Sequence, residues 1–164
     1  MIKDREEEKW REKINTKPKL RTYKKLKTRL EREEYLREDD MRLRRRLTQL
    51  RGGTNELRIE EGRWKREKIE ERICLFCGSG SVEDEMHFMV ECEAYGELRA
   101  VLFNDIYMLT EGRYNMWLMV DDREWMLDAL IGQGLSDKLE YWKAITTFIK
   151  KALELRNKLL KSAN

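Results

Sequence analysis

The chain has 164 residues, 41% of them charged and 40% hydrophobic, with a formal net charge of +3. No apolar run approaches the roughly 20 residues a membrane span needs, and so small a net charge selects no partner by itself. Its distribution says more: residues 1–73 carry 25 Lys or Arg against 17 Asp or Glu, the remainder 10 against 15.

One proline and few β-branched runs make the chain read as mainly α. Residues 1–16 are polar and predict a frayed helix or a disordered lead. Pro18 suits a helix start, and Leu20, Tyr23, Leu26, Leu30, Leu36, Leu43, Leu47 and Leu50 recur at a spacing of about three or four up to Gly52-Gly53. The reading is a long basic helix over 17–51, stopped by the double glycine. Its apolar stripe is too thin to make a core alone, so it must lie on another part of the protein, on nucleic acid, or in solvent.

Two cation groups lie on that segment: Lys17, Lys19, Arg21, Lys24, Lys25, Lys27 and Arg29, then Arg42, Arg44, Arg45, Arg46 and Arg51. Such groups neutralise phosphates and release counterions, which gives sequence-independent affinity for RNA or DNA. The competing reading is a solvated face of helical ion pairs, because Glu31, Glu33, Glu34, Glu38, Asp39 and Asp40 separate the groups. If the basic groups share one continuous face, binding gains; if the acids interrupt it, an interaction module gains.

In 52–73, Thr54 to Glu60 reads as a short capped helix ended by Gly62, with Trp64 beside it. Residues 74–92 follow. They hold all three cysteines and the only histidine of the chain, as C-x2-C-x9-H-x4-C: Cys74, Cys77, His87 and Cys92. Three sulfurs and an imidazole, with a Gly78-Ser79-Gly80-Ser81 turn between the pairs, are the donors of one tetrahedral Zn(II) site, against the alternatives of buried free thiols or a redox pair. Four protein ligands leave no position for water, so the ion is read as structural rather than catalytic. Residues five apart in a regular helix point about 140° apart, so His87 and Cys92 require a turn or distorted helix, with regular helix beginning near Cys92. A disulfide would leave one odd thiol, and no secretory leader is visible at Met1–Glu6. The expected compartment is therefore intracellular, nuclear or cytoplasmic, with reduced thiols.

The remainder, 93–164, predicts a helical bundle of three helices: 93–109 with Leu98, Leu102, Ile106 and Leu109 on one face; 122–131 with an Asp121/Glu124 capping box; and 137–160 capped by Ser136, with Trp142, Ile145, Ile149, Ala152 and Leu155 on its stripe. Met116, Trp117, Met119, Trp125 and Met126 read as its core, or else as a docking surface. Met119-Val120-Asp121-Asp122 has the order of a polymerase palm hairpin but is better explained by helix capping. Glu38-Asp39-Asp40 lies in charged helix. No nucleophile with its base, phosphate loop or acid pair is present, so no enzymatic activity and no small-molecule substrate are expected.

Leu47-x2-Leu50-Arg51-x-Gly53-x3-Leu57, Gly62-Arg63-Trp64, Cys74-x2-Cys77, Glu83-Asp84-Glu85-x-His87-Phe88-x3-Cys92-x2-Tyr95 and Leu98-Arg99 resemble the zinc-knuckle segment near the carboxyl end of reverse transcriptases of non-LTR (LINE-type) retrotransposons. The likeness covers about residues 43–99. It implies a segment that follows the polymerase thumb and binds element RNA or target DNA, with Cys74, Cys77, His87 and Cys92 as ligands. The fingers and palm have no counterpart here, so the family's catalysis does not carry over, and the spacing differs from the retroviral knuckle. The chain is read as a carboxyl-terminal fragment of such an element that binds nucleic acid without catalysis. The alternative is a structural or protein-interaction module in which zinc staples a long helix to a bundle and the Met and Trp surface docks on a polymerase body.

Overall fold

A computed structural model describes residues 2–37 and 40–162. Met1, Glu38, Asp39, Ala163 and Asn164 lie outside them, so the helix expected at 38–40 is not assessed at its first two positions, nor is the side chain of Leu43. The described chain is mainly helical. Its α-helices are α1 (Ile2–Asn15), α2 (Arg21–Leu26), α3 (Met41–Arg51), α4 (Arg58–Trp64), α5 (Gly96–Leu109), α6 (Arg123–Ile131) and α7 (Leu139–Ser162). Among the described residues there is no strand, only an isolated antiparallel bridge between Ile73 and Val82.

The core is organised along α7, which buries Tyr141, Trp142, Ile145, Phe148, Ile149, Ala152 and Leu153 on one side. That is an amphipathic stripe at helical spacing, and it needs partners to hide it. Helices α3 and α5 supply them: Leu47 and Leu50 come from one, Leu102, Phe103 and Ile106 from the other. Phe88 from the Cys/His segment packs between Tyr95 and Phe148, with ring centroids at 5.0 and 6.2 Å. The Cys/His segment thus sits on the same core.

The single helix expected over 17–51 is broken. Pro18 opens a 3₁₀ turn that ends at Leu20, and α2 stops at Leu26 because Lys27 turns extended, with φ −97° and ψ 96°. Tertiary bonds fix the break. The Lys27 ammonium is buried on Glu33 at 2.7 Å and donates to the Glu31 carbonyl, while Gln133 Nε2 donates to the Leu26 carbonyl at 2.9 Å. A second 3₁₀ turn, Glu34–Arg37, inserts Tyr35 against Trp142 before α3 begins. The polar lead is helical as α1, whose Trp10 meets Tyr23 edge-on.

The glycine stop holds for a stated reason. Gly53 has φ +62°, and a Cβ there would lie 2.2 Å from the Lys19 carbonyl oxygen, so only glycine fits both the backbone and the close approach. The short helix after it is shifted: α4 starts at Arg58 and runs through Gly62 rather than ending there. Its amino end is set from a distance, since Glu83 accepts the Arg58 N–H at 2.8 Å. In α6 the cap is Asp122, which accepts the Trp125 N–H at 3.0 Å, one residue later than the Asp121 expected. The Met and Trp segment divides: Met116 and Met126 are buried, whereas Trp117 and Leu118 face solvent. No helix among the described residues is long and apolar enough to cross a membrane.

Candidate metal centre and basic surfaces

Cys74, Cys77, His87 and Cys92 come together: one donor atom from each lies within 4.8 Å of all the others. Two local devices achieve this. Around the first pair, Cys74 N–H donates to the Ser81 carbonyl at 2.8 Å and Glu83 N–H to the Arg72 carbonyl at 3.0 Å. This closes a narrow loop whose Gly78 and Gly80 take φ +67° and +71°.

Around the second pair the chain forms a π turn over His87–Glu91, and Cys92 N–H donates to the His87 carbonyl at 2.7 Å. A five-residue hydrogen bond sets residue 92 nearly above residue 87, where a regular helix would splay them. That is the distorted turn the H-x4-C spacing required. Regular helix resumes later than expected: a 3₁₀ turn over Glu93–Tyr95 follows, and α5 begins at Gly96. Arg99 braces the distorted stretch, donating to the Met89 and Cys92 carbonyls at 2.9 Å each.

Within the cluster, Cys74 and Cys92 sulfurs are 3.8 Å apart and Cys77 Sγ is 3.4 Å from His87 Nε2. The cysteines are free thiols. Before any ion binds, the hydrogen bond from Cys92 draws the Cys74 thiol down to about 3. The same contact, with burial, pushes Cys92 up. For His87, burial opposes the charge, but the bonds and charges of Cys74 and Cys77 outweigh it and raise the imidazole to about 9. Burial likewise opposes ionisation of Cys77, and its contacts with Ser79 still lower it. The site is thus a packed set of donors whose protons a cation can displace. The other ring nitrogen, Nδ1, is buried without a hydrogen-bond partner, and a Glu91 carboxylate oxygen lies 3.4 Å from it. Arg123 holds Glu91 through its second oxygen at 2.6 Å.

The loop before His87 carries three consecutive acids with separate tasks. Glu83 receives Arg156 from α7 through both oxygens at 2.8 Å, in addition to the Arg58 N–H. Asp84 accepts the His87 N–H at 2.9 Å. Glu85 accepts from Arg21 at 2.7 Å through both oxygens and from Thr22 and Asn55 at 2.8 Å. Glu60, also buried, takes the other arm of Arg21 and the guanidinium of Arg63. The Cys/His segment is therefore tied to the amino-terminal region, α4 and α7 at once.

The sequence-derived basic residues do not form one set. Arg51 is 1% exposed, pairs with Glu33 at 2.9 Å and lies over the Tyr35 ring. Lys27 is also buried, on the same Glu33, and Arg21, about one-third exposed, is committed to Glu60 and Glu85. All three are held in structural ion pairs, and the charges of Lys27 and Arg51 are withdrawn from solvent. Lys24, Arg44 and Arg46 are half-buried, with Lys24 donating to the Asn15 carbonyl and Arg44 to Leu36. Lys25 is exposed and meets Glu124 at 3.3 Å. Lys17, Lys19, Arg29, Arg42 and Arg45 are exposed, and no ion pair among the described residues engages them. Of the acids expected to interrupt the face, Glu33 does so by drawing Lys27 and Arg51 inward.

Sequence reasoning found the four donors and missed what surrounds them. Glu91 carried a signal, four residues after His87 on a helical turn; Arg123 carried none, being 32 residues away from Glu91 along the chain. Comparison with protein-family models, curated proteins and solved structures finds no match for this chain.

Proposed function

We propose that the chain is a zinc-stapled, helical nucleic-acid-binding module of the kind that lies near the carboxyl end of non-LTR retrotransposon reverse transcriptases. The observation that carries it is the convergence of Cys74, Cys77, His87 and Cys92, whose donor atoms all lie within 4.8 Å of one another. Zinc with bonds of about 2.3 Å to sulfur and about 2.0 Å to nitrogen makes tetrahedral edges of about 3.8 Å between sulfurs and about 3.5 Å from sulfur to nitrogen. The 3.8 and 3.4 Å separations match those edges. Three thiols and an imidazole are also the donor chemistry that favours Zn(II) over oxygen-seeking ions.

A bound ion would supply folding energy rather than Lewis-acid chemistry, because the protein fills every position. Its work is mechanical: it fixes the loop whose Glu83 and Glu85 clamp Arg156 and Arg21. Phosphate contact then falls to Lys17, Lys19, Lys25, Arg29, Arg42 and Arg45, the exposed members of the two cation groups, in an intracellular setting where thiols stay reduced. Affinity rests on charge and differs little between sequences. The test is titration of single-stranded RNA and of duplex DNA at two salt concentrations. Strong, salt-weakened binding supports the reading, and no binding at low salt removes it.

A second reading, a protein-interaction module docking on a polymerase body, draws on Met108, Trp117, Leu118 and Val120, which are exposed although large and apolar. Failure to bind either nucleic acid, with zinc intact, would favour it.

A further inference from the structure

We infer that Glu91 is a positioning residue for the metal, orienting His87 through Nδ1, and that Arg123 extends this control to α6. The inference rests on the zinc reading above. For Nε2 to face the ion bare, the imidazole must be neutral with its proton on Nδ1, and that proton needs an acceptor because Nδ1 is buried. Glu91 is the acceptor at hand. It lies four residues on, brought round by the π turn, with one oxygen 3.4 Å from Nδ1 and the other held by Arg123 at 2.6 Å.

A distance of 3.4 Å is an ion-pair separation rather than a formed hydrogen bond, so the contact is poised to shorten when the ring settles on the ion. A carboxylate behind a histidine ligand fixes its tautomer and raises its basicity, and losing such a partner weakens metal affinity by about 10- to 100-fold. Arg123 is the first residue of α6, and α6 packs against the His87–Glu91 turn. The metal site is thereby coupled to a helix that contributes no ligand.

The experiment measures zinc affinity of the full chain by competition with a chromophoric chelator, for the wild type, Glu91→Ala, Glu91→Gln and Arg123→Ala. Zinc-loaded samples are also examined by heteronuclear NMR of the His87 ring. Glu91→Ala is expected to weaken zinc about 10- to 100-fold and to lose the slowly exchanging Nδ1 proton. Glu91→Gln keeps an acceptor oxygen and should retain that proton with most of the affinity. Arg123→Ala should fall between wild type and Glu91→Ala. If Glu91→Ala does not fold, the other two variants and the wild-type ring proton still decide. A wild-type chain that takes up no zinc overturns the zinc reading itself. A wild type that binds zinc tightly while Glu91→Ala and Arg123→Ala match it, or whose ring carries its proton on Nε2, overturns the role of Glu91 alone.

Discussion

Arg156 reaches Glu83 with two hydrogen bonds of 2.8 Å, and both side chains are almost wholly removed from solvent. One partner stands near the end of α7 and the other in the loop leading to the metal donors. Removing one member of a buried pair strands the other's charge, at a cost of about 3–5 kcal/mol. Arg156→Met should therefore lose about that much in zinc-loaded urea unfolding. Adding Glu83→Gln to Arg156→Met should recover part of the loss, because the remaining group is then neutral. A double variant no more stable than the single would show that lost packing, rather than the stranded charge, sets the cost.

Zinc should purify with the chain at one ion per molecule, and Cys77→Ser or His87→Ala should abolish it by elemental analysis. Structural zinc in small domains is worth on the order of 10 kcal/mol, so chelation should loosen the packing of Phe88 against Phe148 and broaden the near-ultraviolet signal. The pH dependence has a definite sign. Binding requires deprotonated thiols and a neutral imidazole, so the metal's contribution is present at neutral pH and lost as pH falls. A zinc indicator should report release on acidification and none on a shift to mild alkali.

Salt dependence separates exposed from buried cations. Replacing Lys17, Lys19 and Arg29 with Ala should flatten the plot of log affinity against log salt by up to about 3, since each lost phosphate contact removes close to one unit. Helicity and zinc content should hold. Arg51→Ala should instead lower stability and leave the slope alone in whatever fraction stays folded, because its charge already faces Glu33. An unchanged slope in the triple variant would assign those lysines and the arginine to solvent.

Gly53→Ala should be destabilising by more than about 1 kcal/mol, whereas at a site whose backbone alanine can adopt the same replacement stabilises by about 0.4–1 kcal/mol. Here φ is positive and the added methyl would overlap the Lys19 carbonyl. Gly78→Ala, also at positive φ but with open space around it, isolates the backbone part of that cost. Equal losses at both, measured by thermal unfolding, would deny the clash.

No primer extension, nuclease or hydrolase activity is expected from this chain: among the described residues no group of carboxylates is assembled for two-metal chemistry, and the Cys/His set has four protein donors. An activity that tracks the protein through purification and disappears with a point variant would reverse this.

The Cys/His cluster was legible because its residue types are rare in the chain: three cysteines and one histidine leave no other combination, and the H-x4-C spacing already demanded a departure from regular helix. The carboxyl-terminal helices were legible too, since their periodicity is strong and the stripe of Trp142, Ile145, Ile149 and Ala152 has a core to face. The amino-terminal half was not. A 3–4 spacing of leucines runs through Leu26 and Leu30 without interruption, yet Leu26 is buried and Leu30 is exposed, because a lysine and a glutamate with no apolar signature break the helix between them. Charge clusters misled for the same cause. Arg21, Lys27 and Arg51 look in sequence like their solvent-facing neighbours, and only the fold reveals that Glu33, Glu60 and Glu85 claim them.

The π turn also takes up one residue without changing helical phase. Taking one residue out of Phe88–Val90 would restore an ordinary α turn, in which His87 and its cysteine, now four apart, still share a face. The ion could keep its donors. A closed turn is about one revolution whether four or five residues make it, so the cysteine and all that follows it, Arg99 and the buried edge of α5 included, would keep their azimuth. The surplus residue is thus absorbed by the turn, and a one-residue deletion there should yield a chain that still binds zinc and still packs α5 on α7, whereas the same deletion inside α5 should rotate the rest of that helix by about 100° and unseat it.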